Sequence, residues 1–342
     1  MNYILVLIAV VLLAVDFCFN KLYQKRAGVT PTAGLFFNAI QGLFTGIIFF
    51  VLNFVMDKFF QSADQVAAED AAGYSVIENM FGAKMEYIWL PILLATGMAV
   101  CGFIYNLIGF KMMAKGSLAT YTMFLMTGGM MIPFVFCLIF LGEYNGVVSL
   151  IFSIIGLLVM AAGVIAQNYS KEKKGTDKSL IILGVFVFLL NGCVSVFSKV
   201  HQFNPAGESV TSDPVIQVPA TWADMTVNAE VFVMISGFVK FICCTVALLV
   251  ILGKNKADFK ALPVGKVLPV IALSAVASGT SYLFQLLGAA KLNGTILYPL
   301  VTGGCIVFTA LGGWLVYKEK PTKPLVVGMI LCVVGTLFFL RF

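Results

Sequence analysis

Apolar residues fall in long unbroken blocks separated by short polar stretches, with neither the two-residue alternation of strands nor a single apolar helix face. The blocks cover 2–20, 32–56, 87–111, 116–141, 146–168, 179–200, 229–252, 265–290, 294–317 and 322–341. Each is close to or above the roughly 20 residues a helix needs to cross the hydrocarbon core of a bilayer. The pattern predicts an all-α membrane protein of ten transmembrane helices. Lys115-Gly116, Gly142-Glu143-Tyr144-Asn145 and Asn293-Gly294 leave room only for tight reversals, so the helices they join are antiparallel neighbours. The first block has no basic residue before it and no small-residue cleavage site after it, and is read as a retained helix rather than a signal peptide.

Composition agrees with this pattern. The chain is 60% hydrophobic and 11% charged, against about 45–50% and about 25% in soluble domains. Its net charge of +6 sits in clusters at block ends, which is a topology signal rather than a nucleic-acid surface. All eight cysteines lie within apolar runs, with no C-x-x-C pair and none beside the single His201, so they are read as packing residues.

Summing Lys and Arg over alternate connections puts Lys21, Lys25, Arg26, Lys111, Lys115, Lys171, Lys173, Lys174, Lys178, Lys254, Lys256, Lys260, Lys266, Lys318, Lys320 and Lys323 on one side. That side is read as cytoplasmic. The long connections 57–86 and 201–228 fall on the other and carry acids, among them Asp70 and Asp213. Both termini are therefore predicted to be extracytoplasmic.

Self-comparison finds ordered matches at an offset of 172–178 residues. Phe19-Asn20-Lys21-Leu22-Tyr23-Gln24 is similar to Phe197-Ser198-Lys199-Val200-His201-Gln202. Thr127-Gly128-Gly129 returns as Thr302-Gly303-Gly304, each followed 16 or 17 residues later by Glu143 or Glu319. Gly156 and Gly163 are seven apart, as are Gly328 and Gly335, which puts each pair on one helix face open to close approach. Two halves follow: 1–170, then a basic linker 171–178, then 179–342. Five helices per half is an odd number, so the second copy enters the membrane in the opposite sense, giving two five-helix inverted-topology repeats.

At these residues the chain resembles the drug/metabolite transporter superfamily, EamA-like type. Gly116-Ser117 through Leu141-Gly142-Glu143 is similar to that family's small-residue fourth helix with its Gly-Glu turn, and Gly294-Thr295 through Tyr317-Lys318-Glu319 to the second copy. The first half departs by having thirteen residues from Glu143 to Gly156, against nine from Glu319 to Gly328. The resemblance implies a multi-pass protein of a plasma membrane, such as a bacterial inner membrane, with a cavity lined by the first, third and fourth helices of each half. It also implies cytoplasmic termini, opposite to the charge count, which is the reading retained here.

Projected onto this sequence, the implied cavity selects Asp16, Asn20, Tyr105, Asn106, Tyr121 and Thr127 from the first half, and Asn191, Ser195, Ser198, Tyr282, Gln285, Tyr298 and Thr302 from the second. Two charges inside spans stand apart, because a charge at the bilayer centre costs about 2.5–3.5 kcal/mol on insertion scales. Lys240 lies about twelve residues into the block 229–252, a counter-charge for an anion or a structural partner; Asp16 lies one turn before Asn20, a proton or ion carrier or again a structural partner. Lys21 and Lys199 occupy matched positions at pathway mouths, as guides for anions or as interfacial anchors. Glu143 and Glu319 are read as organisers of the turns that follow their helices. Pro133 and Pro299 interrupt the fourth helices near the Thr-Gly-Gly steps, where a bend or gate could form.

The functional expectation is a secondary transporter or exchanger of a small organic metabolite by alternating access, with a neutral or zwitterionic cargo such as an amino acid, sugar or nucleoside. A sugar phosphate would require Lys21, Lys199 and Lys240 to converge. A head-group flippase or a partner membrane subunit is the alternative. An intramembrane enzyme is disfavoured, since there is no H-E-x-x-H or G-x-S-x-G, and a Walker G-x-x-x-x-G-K-[ST] segment is absent too. The partners expected are the small-molecule substrate and the lipid bilayer, with a proton or other ion and a homodimer both compatible. No nucleic acid, cofactor or metal is expected.

Overall fold

The computed structural model describes residues 2–28, 30–60, 78, 81, 85–114, 118–143, 146–167, 178–202, 226–252, 259–318 and 322–340. The linker 171–178, apart from Lys178, and most of the connections 57–86 and 201–228 lie outside the described residues, as does Glu319.

Ten α-helices are present among the described residues: α1 (Asn2–Ala27), α2 (Pro31–Phe60), α3 (Trp89–Ala114), α4 (Leu118–Phe140), α5 (Gly146–Gln167), α6 (Lys178–Gln202), α7 (Ala229–Leu252), α8 (Val264–Ala289), α9 (Gly294–Tyr317) and α10 (Lys323–Leu337). Eight contain spans long and apolar enough to cross a membrane, and the apolar segments Phe124–Phe140 and Lys323–Leu337 are shorter. The chain is a multi-pass integral membrane protein, all-helical among the described residues. α1 runs seven residues past the apolar block that predicts it, to Ala27, carrying Lys25 and Arg26 in its last turn. Cations there suit the negative end of the helix dipole, and the Arg26 guanidinium reaches the Lys266 carbonyl at 2.8 Å. Pro133 and Pro299 lie inside α4 and α9, each of which runs as one continuous helix.

The most extensive helix pairings join a helix before residue 168 to one after residue 177. α2 packs on α7, α1 on α8 and α9, α3 on α6 and α7, α4 on α6 and α9, and α5 on α10. In the absence of a hydrophobic driving force between helices in lipid, such pairs depend on close van der Waals fit and on small residues. At the α2–α7 crossing, Gly42 and Gly46 meet Gly237 so closely that a Cβ on Gly237 would collide with backbone. At the α5–α10 crossing the two seven-residue glycine pairs face each other, Gly156 against Gly335 and Gly163 against Gly328. Phe232, Phe49, Leu94 and Leu286 fill one core between α2, α3, α7 and α8, and Tyr23, Phe37 and Ile271 fill another.

Candidate functional site

The α2–α7 glycine crossing positions two polar side chains. Gln41 directly precedes Gly42, and Lys240 lies one turn after Gly237, so backbone contact brings the amide and the ammonium together. Lys240 Nζ donates to Gln41 Oε1 at 2.7 Å. Gln41 Nε2 in turn donates to Asp16 Oδ1 of α1 at 3.2 Å, and lies 2.8 Å from Ser274 Oγ and 3.2 Å from Ser278 Oγ on α8. Ser274 Oγ donates to the same Asp16 oxygen. Asp16, Gln41 and Ser274 are buried and Lys240 is half-buried. All four sit near the middle of their spans, where charge is expensive unless compensated. The ammonium and the carboxylate do so across a bridging amide, at a junction built from α1, α2, α7 and α8.

Serine spacing on α8 explains how it serves this junction. Ser274, Ser278, Ser281 and Gln285 follow one another at three- or four-residue steps, which places them on one helix face. Ser281 Oγ donates to the Ala9 carbonyl of α1 at 2.6 Å, and Gln285 Nε2 reaches Ser281 Oγ at 3.1 Å.

A second polar assembly closes one end of the bundle. Lys199, only 3% exposed near the end of α6, forms an ion pair with Glu143 at 2.8 Å and donates to the Ala289 and Leu292 carbonyls at the end of α8, at 2.7 and 3.3 Å. The other Glu143 oxygen accepts the Gly294 N–H, and the Glu143 carbonyl accepts the Thr295 hydroxyl. Asn293, the N-cap of α9, makes no side-chain cap bond. Glu143 thus supplies from α4 the acceptor that a helix start requires, and Lys199 satisfies carbonyls that the α8 terminus leaves open. Four helix ends are tied by one charge pair.

Residues 221–341 match the EamA-like transporter family. The EamA-like segment takes in α7 through α10, and with it Lys240, Ser274 and the α8–α9 turn. A solved crystal structure aligns over 98% of this chain and 95% of its own, with a TM-score of 0.59 at 14% identity, a likeness that establishes the fold alone. No curated protein matches the chain.

Around the EamA-like segment the sequence-selected polar residues separate into groups. Asp16 and Lys240 join the mid-span junction, together with Gln41, Ser274 and Ser278, none of which was selected from sequence. Ser198 of α6 and Tyr282 of α8 share a hydrogen bond of 2.9 Å, with the Tyr282 hydroxyl also 3.4 Å from Met98 Sδ of α3. Tyr298 donates to the Ser195 carbonyl at 2.7 Å, and Asn191 to the Leu125 carbonyl at 2.7 Å, so these two tie α9 and α4 to α6. The Thr127 hydroxyl lies 3.3 Å from its own helix at the Phe124 carbonyl. Tyr105 packs beside buried Tyr121. Asn20, Asn106 and Thr302 are half-buried on α1, α3 and α9.

Of the two matched lysines, Lys199 is buried and paired with Glu143. Lys21 lies 4.9 Å above the Tyr317 ring. Glu143, expected to organise the turn after α4, is bonded to Gly294 and Thr295 at the start of α9. A separate cleft of about 340 Å³ between α9 and α10 is lined only by apolar side chains, Trp314, Met329 and Ile330 among them. It offers nothing to orient a polar solute.

Proposed function

We propose that the chain is a secondary transporter or exchanger of a small organic metabolite, working by alternating access, with cargo bound at the junction of α1, α2, α7 and α8. The observation that carries this reading is the hydrogen-bonded set Asp16, Gln41, Lys240 and Ser274 at mid-span where helices from before and after the linker meet. In transporters built from inverted repeats the substrate site lies near the midplane at the repeat interface. The family match and the absence of a Walker segment agree with carriage that is not driven by nucleotide hydrolysis.

The helix pairings support an inverted repeat with boundaries 1–170 and 179–342. Exchanging each of α1–α5 with its counterpart in α6–α10 turns the α1–α8 pair into α6–α3, α1–α9 into α6–α4 and α2–α8 into α7–α3, while α2–α7, α4–α9 and α5–α10 return to themselves. The glycine contacts behave the same way: Gly156 on Gly335 becomes Gly328 on Gly163. This is the pattern expected of two like units related by a two-fold axis in the membrane plane.

The three lysines do not converge. Lys240 is held by Gln41, Lys199 by Glu143, and Lys21 lies over Tyr317. A phosphate monoester would need several cations together, so the favoured cargo is a solute of low net charge, such as an amino acid, sugar or nucleoside. Purified protein in liposomes should give saturable uptake of at least one pool of labelled amino acids, sugars, nucleosides or monocarboxylates, assayed with and without a proton gradient. No saturable flux for any pool overturns the reading. The proposed orientation, with both termini extracytoplasmic, predicts that a cysteine introduced at Asp70 reacts with an impermeant maleimide from outside.

A further inference from the structure

We propose that Asp16, Gln41 and Lys240 form a proton–anion cotransport site: an anionic group of the cargo replaces the Gln41 oxygen on the Lys240 ammonium, and Asp16 then takes up a proton. This rests on the transporter reading above and specifies what that junction couples.

The argument begins with charge balance. One carboxylate and one ammonium share a mid-span junction through a single amide, so the unloaded site sums to zero. An anion arriving at Lys240 leaves a net negative charge in a medium where an uncompensated ion is costly. One proton on Asp16 restores neutrality without any inorganic ion. Among the described residues, the groups facing Asp16 leave no other ready acceptor. They are Gln41 of α2, Lys240 of α7 with Cys244 beside it, Ser274 of α8 and Cys305 of α9. Thiols are far weaker acids than a carboxyl, and the hydroxyls and the amide do not titrate.

Local geometry provides a place for each species. The Lys240 ammonium has three N–H donors, and among the described residues Gln41 accepts one of them. The ammonium therefore retains donors for a carboxylate. Gln41 is the displaceable part, since its amide also reaches Ser274 and Ser278 and keeps those partners when Lys240 lets go. Among the described residues, the donors to Asp16, from Gln41 and Ser274, go to Oδ1. Oδ2 accepts neither, and is the oxygen on which the proton sits. The proton comes from water on the side of entry and leaves to water on the side of release, together with the anion.

The experiment measures binding of polar monocarboxylates, for example lactate, gluconate and pyroglutamate, to the full chain in detergent between pH 6 and 8. Because binding takes up one proton, affinity should fall about tenfold for each unit of rising pH. Asp16→Asn should keep binding and lose that slope. Lys240→Gln should lose binding, while Lys240→Arg keeps it. The double variant Asp16→Asn with Lys240→Gln, which removes both charges, should fold as well as the parent and bind no monocarboxylate. A pH-independent affinity in the parent protein, or binding that survives in Lys240→Gln, overturns the proposal. So does the absence of saturable binding for every monocarboxylate. The transporter reading survives any of these results if the liposome screen finds a carried solute, and falls only if every pool fails there.

Discussion

α1 and α6 end on similar sequences and reach different structures. Phe19-Asn20-Lys21 and Phe197-Ser198-Lys199 are matched positions, yet Lys199 is buried in an ion pair with Glu143 and bonded to the Ala289 and Leu292 carbonyls where α8 passes into the α8–α9 turn, whereas Lys21 and Lys25 lie over the Tyr317 ring at 4.9 and 4.5 Å. The Tyr317 hydroxyl is bonded to the Cys18 carbonyl. One end is closed by charge, in a setting where separating the charges without water is expensive. The other is held by a ring face and one hydroxyl, contacts worth far less. Under the alternating-access reading proposed above, the two ends differ in this way when one mouth is shut and the other is held more weakly.

The largest expected effect comes from breaking the charged closure. Lys199→Met leaves the Glu143 carboxylate without its cation, and loss of one partner of a buried pair costs about 3–5 kcal/mol. The thermal unfolding midpoint in detergent should fall clearly. Glu143→Gln should cost less, since its amide oxygen can still accept the Gly294 N–H. Adding Glu143→Leu to Lys199→Met should recover part of the loss. A midpoint unchanged by Lys199→Met would mean that the pair carries no weight in closure.

Native thiols allow the two ends to be compared directly. Cys137 is buried beside Glu143, and half-buried Cys18 lies on α1 near Lys21. In the parent protein an impermeant maleimide should modify Cys18 faster than Cys137, as read by peptide mass spectrometry. Glu143→Gln should speed Cys137 by about tenfold for each 1.4 kcal/mol of closure lost, and leave Cys18 unchanged. Equal acceleration of both thiols would mean general loosening instead of an opened end.

How much of this could be read in the sequence depends on how local the signal was. Membrane spans were legible because twenty apolar residues in a row leave few alternatives, and observed ends differ mainly where basic residues extend a helix, as at Lys25 and Arg26. Asp16 and Lys240 stood out for the same reason, as charges within apolar blocks. Gln41, Ser274 and Ser278 did not, because an amide or hydroxyl inside a helix is cheap enough to be common. Only the contacts of α2 with α7 and of α1 with α8 give them meaning. Lys199 and Glu143 were each noticed singly. Their pairing is set by how α4 and α6 end around the α8–α9 turn, which no periodicity along the chain encodes.

A smaller and symmetric effect is expected at the α2–α7 crossing. Gly237→Val puts a branched side chain against the Gly42 and Gly46 backbones. Overpacking of this kind costs about 1–3 kcal/mol. Since the crossing lies between the two ends, reactivity should rise at Cys18 and Cys137 alike, in contrast to Glu143→Gln. A change confined to one thiol would mean that the crossing belongs to one gate rather than to the shared axis.

The smallest effect should appear at the other end of the comparison. Tyr317→Phe keeps a ring beneath Lys21 and Lys25 and removes only the hydroxyl bonded to Cys18, so the loss should be about 0.5–1.5 kcal/mol, the net worth of one hydrogen bond. Tyr317→Leu removes the ring as well, and adds about 0.5–1 kcal/mol for an exposed cation–π contact. Cys18 labelling should rise stepwise from parent to Phe to Leu, with Cys137 unmoved. If Tyr317→Leu lowered the unfolding midpoint as much as Lys199→Met, the two ends would be equally sealed, and the conformer would have both mouths shut, with the mid-span junction occluded between them.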